Sequence, residues 1–522
     1  FKALLLDALD TPSYSRLTRL EHEMEAAGSA PDPLWSRRFR DHLDMVQDHT
    51  VETLLGGGRL ALLDNDLETM RRNAARAMEI YPNDMRAYAW LGHAMTWGPG
   101  GRGENDIKAI IANYRASISA GAEDGWRTIY DFIRSLAFLG QTEEIRSLLC
   151  EQHQALFVGQ RKRSGWQRFM AGAALSDLGL VFGGLRDYPR SGLIRKYARN
   201  FRLVDSITEI HPGEKVLFLS EGGVGDEIRY AITYPALATQ FPDAVFSVDE
   251  RIAPLFRRSF PEAAEFLPLP RFHRKRINQD LLDQICDLPD QALAQFFDNN
   301  LWKAANSVDV VMPVPCVMLD LRPDVASFTQ GPQPRLKADI NLVDAWRKRL
   351  DPYSGTLLVG VIGTSRILEY QRIANYFTPD QFGEMYRMRG VTFVSLEYEE
   401  DEELADYIRT EFGASLLTFP DLDKIDDFDG VLALATALDC VVGVNTATIE
   451  LTAFGGVDTI FAAPSANHRW RDPQGTGQDL FFDTMEVIMC DDPSDKPLVT
   501  ARIVKKLRER LDRKTAQKRT AS

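Results

Sequence analysis

Cysteine is scarce and scattered in this chain. Its five residues, Cys150, Cys286, Cys316, Cys440 and Cys490, are odd in number and contain no Cys-x-x-Cys spacing. Structural zinc needs clustered ligands and a disulfide framework needs paired ones, so both are disfavoured. Reduced, mostly buried thiols of an intracellular, cytoplasmic protein are the expectation. A basic surplus is also missing, the formal net charge being −14. That balance argues against a nucleic-acid binder, which needs basic surface to displace counterions. No uninterrupted apolar stretch reaches the roughly 18 residues of a membrane span. The opening FKALLLDALD turns acidic right after its short apolar run and has no small-residue cleavage site, so it does not read as a secretory signal. Starting at Phe, the chain is expected to lack its true beginning. Absent, finally, is the full dinucleotide pattern G-x-G-x-x-G: the turn EGGVGD lacks its last glycine, which disfavours a nicotinamide enzyme.

The 522 residues suffice for roughly three domains. Residues 1 to 204 have helical periodicity and no convincing alternating strand. A weak repeat runs through them: DLETMRRNAARAMEIYPND with MRAYAWLGHAM, then IKAIIANYRASISAGAED with WRTIYDFIRSLAFLG, then EEIRSLLCEQHQAL with WQRFMAGAALSDLG. The small residues Ala74, Ala75 and Ala77 suit close helix approach. Gly92, Gly140 and Gly179 recur at intervals of 48 and 39, longer than the tetratricopeptide period of about 34. The insertion TWGPGGRGEN at 96–105 accounts for the first excess. A degenerate tetratricopeptide-like array fits this pattern, and stacked helix pairs commonly offer a groove to a peptide or protein. A cap covering the next domain is the alternative. The basic runs RKRSGW at 161–166 and HRKRINQD at 273–280 are each open to two readings, an anion contact or a solvated helix start.

From about residue 205 short apolar runs alternate with amphipathic helices, the pattern of parallel sheets with crossover helices. KVLFL, AVFSV (244–248) and VDVVMPV (308–314) form a first half over 205–340. TLLVGVIG (356–363), VTFVSLEY (391–398), ASLLTF (414–419), DCVVGVN (439–445) and DTIFAA (458–463) form a second over 341–495, with a helix and basic tail at 496–522. Ligands of such sheets sit at the C-terminal ends of strands. After KVLFL come Gly222, Gly223 and Gly225, which suit close approach of a ligand, with Asp226 and Glu227 at the helix start. Asp226 has two open roles, a cap or a carboxylate aimed into a cleft. After TLLVGVIG come Thr364, Ser365 and Arg366, with Arg372 and Tyr376 following, a set suited to phosphate oxygens. After DCVVGVN come Asn445, Thr446, Ala447 and Thr448 at a helix start, with Glu450 one turn in and able to accept from sugar hydroxyls.

Several ordered stretches carry a resemblance: LSEGGVGDEIRYAITYPAL, SVDERIAPLFRRSFPEA, LRPDVASF, LVDAWRKRL, FVSLEYEEDEEL and IDDFDGVLALATALDCVVGVNTATIELTAFGG. Over residues 205 to 490 the chain resembles bacterial tetratricopeptide proteins with a heptosyltransferase-like glycosyltransferase domain, distantly similar to the O-GlcNAc transferase architecture. The resemblance implies an α/β GT-B fold, two Rossmann-like domains facing a cleft, behind an all-α helical domain. It implies an inverting, metal-independent transfer from a nucleotide sugar, bound as substrate in the second half, with no cofactor. The acceptor would be a protein, for example a surface or flagellar protein, selected by the helical domain. Asp226 matches the family's Gly-Asp motif and would be the general base; Arg372, Tyr376, Asn445 to Thr448 and Glu450 match donor-side positions.

Two motifs depart. Ile362 to Arg366 replace Ser-Trp-Arg-Ser-Gly, with Arg366 placed to restore the lost charge, and Pro315 to Met318 replace Gly-Ser-Leu-Pro. A non-catalytic GT-B-like adaptor, binding a partner through its helical groove, is the alternative these departures leave open. HRWRDPQGTG (468–477) matches a loop over the cleft, where Arg469, Trp470 and Arg471 would meet the donor, unless Trp470 is a core anchor. The last helix is expected to cross back to the first half, its basic tail either meeting an acidic partner or lying disordered.

Overall fold

The computed structural model describes residues 50–521, apart from 64, 99–102, 120–124, 160, 162–163, 188–190, 271–278, 330–332, 367–369, 399–401 and 493–494. FKALLLDALD and nearly all of HRKRINQD therefore lie outside the described residues. Two compact units divide the chain.

One unit comprises Phe1–Gln160, Phe272–Gln295 and Glu369–Gln371. Its described part runs through the helices Val51–Leu63, Leu67–Ile80, Arg86–Trp97, Glu104–Ser119, Gly125–Phe138 and Thr142–Glu151, each packed on the next. Helix Leu67–Ile80 shows why the sequence folds so. Asp66 caps it by accepting from Thr69 N at 3.0 Å, and Leu67, Met70, Ala74 and Ala77 form its buried stripe. Ala75, expected at a helix contact, is exposed instead, because it falls off that stripe. Gly92 faces the Tyr114 ring, which a Cβ would meet at 3.0 Å.

The other unit, Arg161–Arg271, Phe296–Leu368 and Arg372–Ser522, holds two parallel sheets. It also takes the helices Gly165–Leu175 and Leu178–Arg186. The first helix of the third repeat, Thr142–Glu151, thus stays with the helical array, while its second, Gly165–Leu175, falls in this unit. Aromatic packing draws it away: Phe169 meets Trp470 edge-on at 5.9 Å. Of RKRSGW, Arg161 pairs with Asp187 at 2.5 Å, and Ser164 precedes the helix.

The first sheet contains β1 (Arg202–Leu203), β2 (Val216–Leu219), β3 (Val245–Asp249), β4 (Glu265–Leu269) and β5 (Val310–Pro313), in the order 1-5-2-3-4. The second contains β6 (Leu357–Ile362), β7 (Val391–Ser395), β8 (Leu416–Leu417), β9 (Cys440–Gly443), β10 (Thr459–Ala463) and β11 (Met485–Met489), in the order 11-10-9-6-7-8. Strands β2, β6, β7 and β9 are buried along their whole length; β2, β6 and β9 read as continuous apolar runs, and β7 adds the buried Thr392 and Ser395. In each sheet the chain winds outward from one strand and then returns to that strand's other side. The reversals fall between β2 and β5 and between β6 and β9, where such sheets open a crevice at the strand C-termini. Each half is thus a doubly wound, Rossmann-like parallel sheet. The connecting segment is tied to both halves, Lys337 N donating to Ser259 Oγ at 2.9 Å and Leu336 N to Phe454 O at 3.0 Å.

The last helix, Lys496–Ala521, packs on β6, β10 and β11 of its own half. Its basic residues explain the departure from the expected crossing. Arg510 holds Asp458, Lys506 holds Glu486 and Lys514 holds Asp439, all acidic groups of the same half. Among the described residues, no helix is long and apolar enough to cross a membrane.

Candidate functional site

The turn after β2 is built by its glycines. Gly222 adopts φ +100°, a conformation side chains resist, and a Cβ there would stand 3.0 Å from Asp226 Oδ2. Helix Val224–Tyr230 starts at Gly223, which brings no capping side chain. Asp226 reaches back in its place, Oδ2 accepting from Gly223 N at 3.3 Å. Its Oδ1 accepts from Arg229 Nη1 at 3.1 Å, and the side chain stays 44% exposed. Asp226 thus closes the turn and still faces solvent.

Two neighbours expected on the acceptor loop are turned elsewhere. Gly225 does not leave open space, since a Cβ there would lie 3.2 Å from Ala447 Cα at the start of helix Ala447–Phe454. Its missing side chain lets the turn of one sheet touch the helix start of the other. Glu227 is buried, and its Oε2 accepts from Asp249 N at 2.7 Å at the end of β3. An unpaired peptide N–H there is costly to bury, and the carboxylate satisfies it.

The loop after β9 is largely closed on itself. Thr446 caps its own helix, Oγ1 accepting from Ile449 N at 3.4 Å, and Thr448 Oγ1 donates to the Tyr398 hydroxyl at 3.3 Å. Both threonines are buried, Ala447 is half-buried and Asn445 is exposed. Glu450 is the larger correction. Instead of meeting sugar hydroxyls it is 1% exposed and shared by two guanidinium groups. Arg229 Nη2 and Arg471 Nη1 each donate to Oε1 at 2.6 Å, and Arg471 Nη2 donates to Oε2 at 3.2 Å.

Arg471 Nε continues to Asp479 Oδ2 at 2.6 Å. The result is a row of alternating charge, Asp226, Arg229, Glu450, Arg471, Asp479, running from the first half into the second. Burial opposes charging Arg229, yet Glu450 and Asp226 outweigh it and hold the guanidinium above its usual range. Burial likewise pushes the Glu450 carboxyl up, and the two arginines overcome it to hold it low. Beside them His468 is buried, and burial with the Arg471 and Arg229 charges lowers it to about 4. Trp470 is a core anchor, edge-on to Phe481 at 5.5 Å, with the Arg229 guanidinium 5.3 Å from its ring centre. Arg469 pairs with Asp491 at 2.8 Å. The 468–471 segment is therefore occupied by structural contacts rather than held over a cleft.

The loop after β6 gathers most of its expected members. Gly363 N and Thr364 Oγ1 donate to Glu397 at 2.5 and 2.7 Å. The Glu397 carboxyl, at the end of β7, is pushed up by burial. The Tyr376 hydroxyl is hydrogen-bonded to the side chains of both Ser365 and Arg372, and burial raises it. Arg366 and Arg372 are exposed and Ser365 is half-buried. Close by, Ser465 Oγ donates to Asn375 Oδ1 at 2.7 Å. Pro315 to Met318, which stand where the resemblance implies Gly-Ser-Leu-Pro, follow β5 and are buried.

Sequence reasoning passed over Arg229, Glu397 and Asp479. Arg229 carries a usable signal, standing three residues after Asp226 on one helix face. Glu397 and Asp479 carry none, because their partners lie on other strands and loops.

No family model matches the chain. Protein FlbA of Caulobacter vibrioides is 28% identical over 251 residues, 47% of this chain and 38% of that protein, so the chain's match spans well under half of the relative. Among solved structures, E. coli ADP-heptose LPS heptosyltransferase II is 15% identical with a TM-score of 0.40, covering 58% of this chain and 99% of its own. The glycosyl transferase family 9 protein of Veillonella parvula is 10% identical with a TM-score of 0.38, covering 57% and 97%. A Thermobaculum terrenum O-GlcNAc transferase variant covers 90% and 93%, with 12% identity and a TM-score of 0.26.

Proposed function

We propose that this protein is a glycosyltransferase that moves a sugar from a nucleotide-sugar donor to an acceptor hydroxyl. One observation carries the reading. A half-exposed carboxylate, Asp226, stands on a glycine turn at the crevice of one Rossmann sheet, where that turn touches the helix start at the crevice of the other. In this reading Asp226 takes the acceptor proton as the sugar's anomeric carbon bonds to the acceptor oxygen and the nucleotide leaves. Inversion follows from a single displacement, and no metal is required. Arg366 and Arg372 with Ser365 face the departing phosphate and stabilise its growing charge. The motif resemblance over residues 205 to 490 supports the same assignment. A protein acceptor is the accompanying proposal, supported by the helix pairs of the first unit, since such pairs commonly hold peptides; sugar incorporated into lipid or free saccharide and never into protein would overturn it.

The decisive test pairs binding with turnover. UDP, GDP, ADP and CMP are screened by thermal shift, where a ligand at a hundred times its dissociation constant adds about 2.7 kcal/mol of stability. One nucleotide should raise the melting temperature of the wild type and of Asp226→Asn, and fail to do so with Arg372→Ala. Release of nucleotide from the matching sugar conjugate should fall about 100- to 10,000-fold in Asp226→Asn. Wild-type turnover in that folded variant, or no shift with any nucleotide, would sink the reading.

A further inference from the structure

We propose that Arg229 and Glu450 are positioning residues for Asp226, so that the second Rossmann half sets the aim of the base carried by the first. The inference rests on the reading of Asp226 as that base. Its ground is the row of charges. Of its five members Asp226 is half exposed, whereas the side chains of Arg229, Glu450, Arg471 and Asp479 are 8%, 1%, 2% and 0% exposed. Burying four charges is a poor way to gain stability, because desolvation cancels most of the attraction and apolar side chains would serve as well. What the row does supply is direction.

The Arg229 guanidinium lies against the Trp470 and Phe481 rings, 5.3 and 5.8 Å from their centres, so its plane is restricted. One nitrogen donates to Asp226 Oδ1 and the other to Glu450 Oε1. Glu450 is in turn held by Arg471, which Asp479 fixes, and Asp479 Oδ1 accepts from Phe481 N and Phe482 N at 2.9 Å. Each link is thus anchored by the next until the row ends on backbone. At the exposed end, Arg229 and Gly223 N each bind one Asp226 oxygen. A carboxylate has about four acceptor sites, so sites remain for an acceptor hydroxyl while the group cannot swing. Glu450 also balances the Arg229 charge, so the base does not face an uncompensated cation. A lysine at 229 would keep the charge and lose the two-way bridge.

The test compares Arg229→Lys and Glu450→Gln in two backgrounds, Asp226 and Asp226→Asn. Nucleotide release is followed from whichever UDP-, GDP-, ADP- or CMP-sugar the wild type turns over, together with the melting temperature. Misplacing a reacting group by about 1 Å can cost about 100-fold, so kcat should drop about 10- to 100-fold with donor KM within about twofold. In the Asp226→Asn background the same substitutions should leave the residual rate unchanged, while lowering the melting temperature as much as before. An equal fold loss in both backgrounds, or wild-type kcat in Arg229→Lys beside a lost kcat in Asp226→Asn, would overturn the positioning role and leave the base reading standing. Wild-type turnover in Asp226→Asn overturns both. Should Glu450→Gln fail to fold, the charge-keeping Arg229→Lys carries the comparison alone.

Discussion

The two strand-turn-helix units at the crevices, 216–230 and 440–454, are alike in outline and opposite in how they begin their helices. After β9 the chain supplies Thr446, whose hydroxyl caps the helix from within the loop and is itself buried. After β2 it supplies Gly223, which has nothing to cap with, and the duty passes to Asp226 three residues on. A carboxylate recruited in this way serves the turn with one oxygen while the side chain stays half exposed. The self-capped loop keeps its hydroxyl inside, and the borrowed cap leaves a carboxylate at the surface. Glu450 joins them, since it sits in the closed unit and holds the arginine that holds Asp226.

Four perturbations would break or sharpen that contrast. Glu450→Ala strikes the joint itself, leaving Arg229 and Arg471 buried without their shared carboxylate, and should cost about 3–5 kcal/mol of unfolding free energy in a urea titration. Next in size is a pH effect rooted in the second half. His468 binds its proton in the folded protein only near pH 4, whereas an exposed histidine does so near 6.5. Between those values the unfolded chain holds more protons, so stability is intact above about pH 6.5 and falls by about 1.4 kcal/mol per unit as the pH drops towards 4. His468→Gln should remove that slope from a series of melting curves. Gly225→Ala tests the contact between the two units; a methyl pressed on Ala447 should cost about 1–3 kcal/mol, read by differential scanning calorimetry. Smallest is Thr446→Ala, at about 1 kcal/mol by the same measurement, with the Asp226 side unaffected.

Much of the architecture was legible because parallel strands buried on both faces are largely apolar, and β2, β3, β5, β6, β7, β9 and β10 all read as short apolar-rich runs. The strands that escaped are short or at the margins. β1 has two residues, β11 closes the second sheet, and β4 carries Pro268 and Glu265, which an edge position tolerates. Helix periodicity was equally clear in Gly165–Leu175, yet it could not say which body the helix joins, since a buried stripe is blind to what covers it.

The site divides in the same way. From sequence alone come the glycine turn, Asp226 at its helix start, and the loops after β6 and β9, because strand composition and turn residues are local properties. Only the tertiary structure decided that these loops lie at the two strand-order reversals, that Gly225 faces Ala447, and that Glu450 is bound to Arg229 across 221 positions of sequence. Local pattern marks where a side chain starts; whether it meets solvent or a buried partner depends on which distant segment the sheets bring beside it.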